Sequence, residues 1–176
     1  MRISRISWAR LISDVFSPPV IWGVLAFPIA FREADSQDQA LLWALTYTLM
    51  VCIIPAIYIG FMVWRGHITD IHMKERKDRI RPFVVSMLGT FVAWQLLRLM
   101  GAPPLLPIFA IVSLVLLSAM LLVTLVWQIS MHTMSITCAV VATGALYGLG
   151  PALLISPLIP VVGAARLKLH RHTLAE

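Results

Sequence analysis

Leu105-Leu106-Pro107-Ile108-Phe109-Ala110-Ile111-Val112-Ser113-Leu114-Val115-Leu116-Leu117-Ser118-Ala119-Met120-Leu121-Leu122-Val123-Thr124-Leu125-Val126-Trp127 contains no charged residue. At 1.5 Å per residue the run exceeds the ~20 residues that a ~30 Å hydrocarbon core demands. In lipid a single segment can satisfy its own backbone only as a helix. This stretch is therefore expected to be a membrane span, and it sets the class of the whole chain. Composition agrees: 60% of the 176 residues are hydrophobic and 12% charged, against about 45–50% and about 25% in soluble domains.

Upstream of the run, Gly101-Ala102-Pro103-Pro104 is a turn, and the apolar stretch from Phe83 to about Leu97 before it is expected to be another span. Ala40 to Trp64 is a third long apolar run. A first one extends from about Val15 to Phe31, with a kink expected at Pro18-Pro19. Arg2, Arg5 and Arg10, interleaved with Ile3, Ile6 and Trp8, suit a short interfacial segment. A signal-peptide reading of the N-terminus is disfavoured by Ser17-Pro18-Pro19 and by the lack of a clear small-residue cleavage site. Downstream, Gln128-Ile129-Ser130-Met131-His132 interrupts the apolar sequence, which resumes from Thr133 to Ala165. That stretch is too long for one comfortable span, and Gly148-Leu149-Gly150-Pro151 supplies a break, giving two short spans. The expectation is an all-α, polytopic transmembrane helix bundle of about six spans, forming a single integral membrane domain over residues 1–176. No linker, low-complexity tract or internal repeat divides it.

The net charge of +6 sits near span ends and in one loop, which points to anionic headgroups or phosphate. No aromatic-basic interleaving speaks for nucleic acid. The positive-inside bias places the arginine-rich N-terminus in the cytoplasm and the acidic loop Arg32-Glu33-Ala34-Asp35-Ser36-Gln37-Asp38 outside. Counting spans from there, three polar clusters return to the cytoplasmic face: the island Lys74-Glu75-Arg76-Lys77-Asp78-Arg79-Ile80-Arg81-Pro82, the break at Ser130 and His132, and the tail from Arg166 to Glu176. Trp8, Trp64 and Trp127 fall at the same face, as an aromatic belt does.

Lys74 and Arg81 lie about two helical turns apart, so both cations can face one anion. Pro82 suits the first turn of the next helix, where its missing N–H needs no partner. An ionisable group between spans, such as His132, is a mark of function. The two cysteines, Cys52 and Cys138, lie in different apolar runs without metal-type spacing. His67, Asp70 and His72 have no fourth ligand at a recognised spacing, so no metal is expected. His170 reads as interfacial. Asp70 and Asp78 do not form the paired acidic motifs that a magnesium-dependent prenyl or phosphatidyl transferase uses.

Lys74-x6-Arg81-Pro82, Ser130-x-His132 and Arg166-x5-His172-x3-Glu176 resemble, in order and internal spacing, the three motifs of the type 2 phosphatidic acid phosphatase superfamily, which also contains vanadium haloperoxidases. The resemblance covers roughly residues 70–176. It implies that Lys74, Arg81, Ser130 and Arg166 bind the phosphoryl oxygens, His172 attacks phosphorus, His132 protonates the leaving alkoxide, and Glu176 orients His172 from the same helical face, without metal or other cofactor. The implied substrate is a lipid phosphate monoester or a polyprenyl diphosphate. The chain departs from the pattern at Ile129, Met131 and Ala165, where the motifs have proline, glycine and serine, and at Glu176, where they have aspartate. The membrane helix that generally follows the third motif in that superfamily is expected to be missing. The alternative expectation is a catalytically degenerate relative acting as a structural or lipid-binding subunit beside other membrane proteins.

Overall fold

A computed structural model describes residues 7–68, 73 and 76–176. Among the described residues the secondary structure is helical, the all-α class expected from the apolar runs. Four helices are long and apolar enough to cross a membrane: Gln37–Trp64, Arg76–Leu99, Leu105–Val126 and Leu149–Lys168. A fifth candidate is the bent pair Trp8–Val15 and Pro18–Glu33, while Met131–Tyr147, at 17 residues, is a shorter apolar helix. Large apolar side chains along these helices, among them Leu88, Leu122, Leu125, Val141 and Leu154, are exposed, the surface that lipid contact requires.

The chain forms two compact units. One comprises residues 7–21 and 129–176 of the described chain, the other Trp22–Gln128.

In the second unit, α2 (Pro18–Glu33), which begins in the first unit, is followed by α3 (Gln37–Thr48), whose N-cap Ser36 accepts from Gln39 N–H. A π-helical segment, Leu49–Ile53, leads without interruption into α4 (Ile54–Trp64). Pro55 explains the irregularity, because it has no N–H to return to the preceding turn. α5 (Arg76–Leu99) and α6 (Leu105–Val126) pack along each other, and α5 also packs on the π segment. That last contact is close: a Cβ on Gly89 of α5 would collide with the main-chain oxygen of Met50. The core contains Tyr47, whose hydroxyl lies 2.8 Å from Ser113 Oγ, and Phe109, whose ring is tilted against both Trp22 and Tyr47 at 5.3 and 5.2 Å. The acidic loop has a structural use here. Glu33 Oε2 accepts the N–H of Leu105 at 2.9 Å, capping α6, whose own N-cap residue, Pro104, makes no side-chain cap.

Three expectations change. Pro82 was placed in the first turn of a span opening at Phe83, but α5 is already helical at Arg76, so Pro82 lies inside it. From Arg76 on, the charged island forms the helix's first turns, since Arg, Lys and Asp side chains can extend from a helix into water while its apolar part continues inward. The interfacial segment runs past Arg10 as α1 (Trp8–Val15), reaching the residue where the first span is expected to open, and α2 begins only at Pro18, the pair bent by 46° at Phe16-Ser17. The kink stands where Pro18 and Pro19 put it.

In the first unit, α1 packs along α9 (Leu158–Lys168), and α7 (Met131–Tyr147) packs against both α8 (Leu149–Ile155) and α9. Gly148, at φ 90°, makes the expected break between α7 and α8. The third change concerns the tail. α9 ends at Lys168 and residues 169–176 form turns, so His172 and Glu176 do not share a helical face. His170, at φ 52°, stops the helix: its N–H donates to Leu167 O at 2.9 Å, and Arg171 N–H donates to Arg166 O at 3.1 Å. This is a Schellman motif with a non-glycine residue in its left-handed position.

Candidate functional site

Ser130 and His132, from the polar break, and the tail belong to the first unit. Ser130 is the N-cap of α7. Its Oγ accepts from Thr133 N–H at 3.3 Å and lies 3.1 Å from Thr133 Oγ1. The sequence dictates this local geometry, since a serine with extended backbone before an apolar helix satisfies one of the four donors that the first turn leaves open. His132 is then the second residue of the helix and is buried, at 8% exposure. The N–H of Ser130 donates to the main-chain oxygen of Glu176 at 3.0 Å, which brings the tail onto the start of α7.

On the tail side, Arg166 stands in the last turn of α9 and is 3% exposed. Its Nη1 donates to Ser13 Oγ at 2.8 Å, across the packing of α1 on α9. Lys168 reaches the same helix, with Nζ 4.9 Å from the Trp8 ring centroid. His172 is also buried, with Nδ1 3.7 Å from Glu176 Oε2, which is ion-pair range when the imidazole is protonated and too long for a hydrogen bond. The same Oε2 accepts Thr173 N–H at 2.9 Å, and Glu176 N–H donates to Thr173 O at 3.3 Å. Glu176 therefore comes to His172 as expected, but a turn brings it there, not a helix. Ser130, His132, Arg166, His172 and Glu176 thus all belong to the end of the unit where α7 begins and α9 finishes.

Burying imidazole and guanidinium groups at a helix end is costly unless charge or hydrogen bonding compensates. Such a constellation of two imidazoles, a guanidinium, a hydroxyl and a carboxylate can bind an anion and move a proton. It also offers a nucleophilic nitrogen.

Lys74 lies outside the described residues, as do Asp70 and His72. Arg81 is in the second unit, on α5, and exposed. Its neighbour Arg79 is the buried cation among the described residues of the island, at 5% exposure, and its Nε donates to Met73 O at 2.9 Å. Arg76 Nη1 donates to Leu125 O at 3.4 Å, placing a cation at the carbonyl end of α6, where the helix dipole favours it. Sequence spacing singled out Arg81 and passed over Arg79. Two residues apart on a helix, they point in different directions, so only one of them can face inward. Ser13 was also passed over, because nothing in its own neighbourhood marks a serine whose partner is Arg166. Among the described residues no group of three or more His, Cys, Asp or Glu is arranged to hold a metal ion.

Compared with protein-family models, curated proteins and solved structures, the chain matches none.

Proposed function

We propose that this protein is a multi-pass membrane phosphatase that hydrolyses a lipid phosphate monoester or polyprenyl diphosphate through a phosphohistidine intermediate. The resemblance of its three polar motifs to the type 2 phosphatidic acid phosphatases suggests the reaction. The observation that carries the reading is the gathering of buried His132, Arg166 and His172 at one end of the first unit, with the Glu176 carboxylate beside His172.

In this reading Arg166 and the first turn of α7 bind the phosphoryl oxygens. Lys74 and Arg81 enter as further phosphate-binding residues on the sequence pattern alone. With Nδ1 turned to Glu176, His172 attacks phosphorus through Nε2. The bond from phosphorus to the lipid oxygen breaks as His132 gives that oxygen a proton. Water, deprotonated by His132, then attacks the phosphohistidine, releasing inorganic phosphate and returning the electron pair to His172. Glu176 stabilises the positively charged imidazole through each step. A lipid substrate keeps its chains among the exposed apolar side chains while its headgroup reaches the polar helix ends. The positive-inside bias puts the N-terminus and this end on the cytoplasmic side.

The test is phosphate release by purified protein in detergent, from phosphatidic acid and from a polyprenyl diphosphate, with His172→Ala alongside. Release by the wild-type chain that His172→Ala loses, at unchanged thermal unfolding, is the expected result. Substantial release by His172→Ala would move the nucleophile elsewhere. No release from either lipid by folded protein would make the chain a structural or lipid-binding subunit.

A further inference from the structure

Arg166 is held by a helix that none of the three motifs includes. α1 presents Ala9 and Ser13, one turn apart and both fully buried, on a single face. α9 presents Val162, Ala165 and Arg166, all buried, and the two helices pack together. Small side chains at residues 9, 13 and 165 let the backbones come close. At the contact, Ser13 Oγ accepts the Nη1–H of Arg166 at 2.8 Å, and Lys168 over the Trp8 ring clamps the same pair of helices.

A guanidinium has donors in a rigid planar fork, so fixing one nitrogen fixes the direction in which the other donors point. A hydroxyl suits this role. It accepts from the cation without neutralising it, whereas a carboxylate in the same position would compete with any anion for the charge. We propose that Ser13 is a positioning residue for Arg166, and that α1 is therefore a structural part of the anion site at the start of α7. This inference rests on reading Arg166 as a phosphate ligand. It adds a hydroxyl far away in sequence that aims the cation.

The experiment measures binding of inorganic phosphate to the full chain in detergent by titration calorimetry, and lipid phosphate release in parallel, for wild type, Ser13→Ala and Ser13→Cys. Cysteine keeps the volume but is a weak acceptor, which separates the hydrogen bond from packing. Both variants are expected to weaken phosphate binding by about tenfold, the scale of one hydrogen bond to a charged group, with cooperative thermal unfolding retained at a somewhat lower midpoint. The Arg166 Nη resonance, assigned by its loss in Arg166→Lys, should be a slowly exchanging signal in the wild type that both variants lose. Wild-type affinity in Ser13→Cys, an unchanged Nη signal, or no phosphate binding by the wild-type chain would each overturn the inference. Phosphate binding that depends on Ser13 without any lipid hydrolysis would leave it standing and sink only the phosphatase reading.

Discussion

At the scale of single residues, helix ends give the sharpest comparison. Three helices end in the same hydrogen-bonded motif. Gly66 closes α4 at φ 71°, with His67 N–H on Met62 O. Gly101 closes α5 at φ 71°, with Ala102 N–H on Leu97 O. His170 closes α9 at φ 52°. The left-handed conformation costs a residue with a Cβ roughly 1–2 kcal/mol, part of which glycine returns through its freer unfolded chain. His170→Gly should therefore stabilise the protein by about 0.5–1 kcal/mol. Gly101→Ala, with open space around its Cβ, should lose about 1 kcal/mol through backbone strain alone. Unfolding in detergent with increasing denaturant measures both, and a loss from His170→Gly would show that the imidazole makes a contact worth more than the strain. Glycine after an apolar helix announces such a stop: Gly66 follows the apolar run that ends at Trp64, and Gly101 stands in a sequence turn. His170 carries no such signal, which is why the tail reads as helix up to Glu176. The x3 spacing still brings Glu176 to His172, because a turn, like a helix, can bring residues four apart together.

At the scale of elements, the apolar runs were legible and their interiors were not. Hydrophobicity alone distinguishes Gln37–Trp64 from its flanks, yet the π segment Leu49–Ile53 leaves no mark except Pro55 two residues later. A proline in a long apolar run is equally compatible with a kink, so the sequence does not choose between the two. What the π segment does is visible only against α5. The carbonyl of Met50 faces Gly89 where any side chain would strike it. Gly89→Ala should cost about 1–3 kcal/mol, the usual range for overpacking, because backbone on both sides must move. Alanine is the better helix former, so an unchanged or raised unfolding midpoint for Gly89→Ala would mean that α5 and the π segment do not meet this closely. The early start of α5 has a similar cause: charged residues read as a loop by composition, whereas two Arg side chains bonded to Met73 O and Leu125 O make them the first turns of a helix.

At the scale of the whole molecule, composition announced membrane helices, and the described residues include four helices of sufficient length and apolarity, with the bent pair as a fifth candidate. The division of the chain was not legible. Residues 7–21 and 129–176 make one unit and Trp22–Gln128 the other, and no shift in composition marks either boundary. Contacts between residues far apart leave no periodicity to read. Ser13 and Arg166 are separated by 153 positions.

That separation fixes an order of events during synthesis. The helices of Trp22–Gln128 are all translated before the first residue of α7, so their unit can assemble while the ribosome is still working. α1 leaves the ribosome before that unit and must wait for its partner, because its face bearing Ala9 and Ser13 fits α9, which is made after the whole of that unit. A chain stopped after Gln128 should keep slow amide exchange in α5 and α6 and lose it in α1; protected α1 amides in that fragment would mean the helix is ordered without its late partner. A nascent chain thus carries an unmatched α1 until α9 is made, and the arrival of Arg166 both completes the packing and brings the charged group whose direction Ser13 sets.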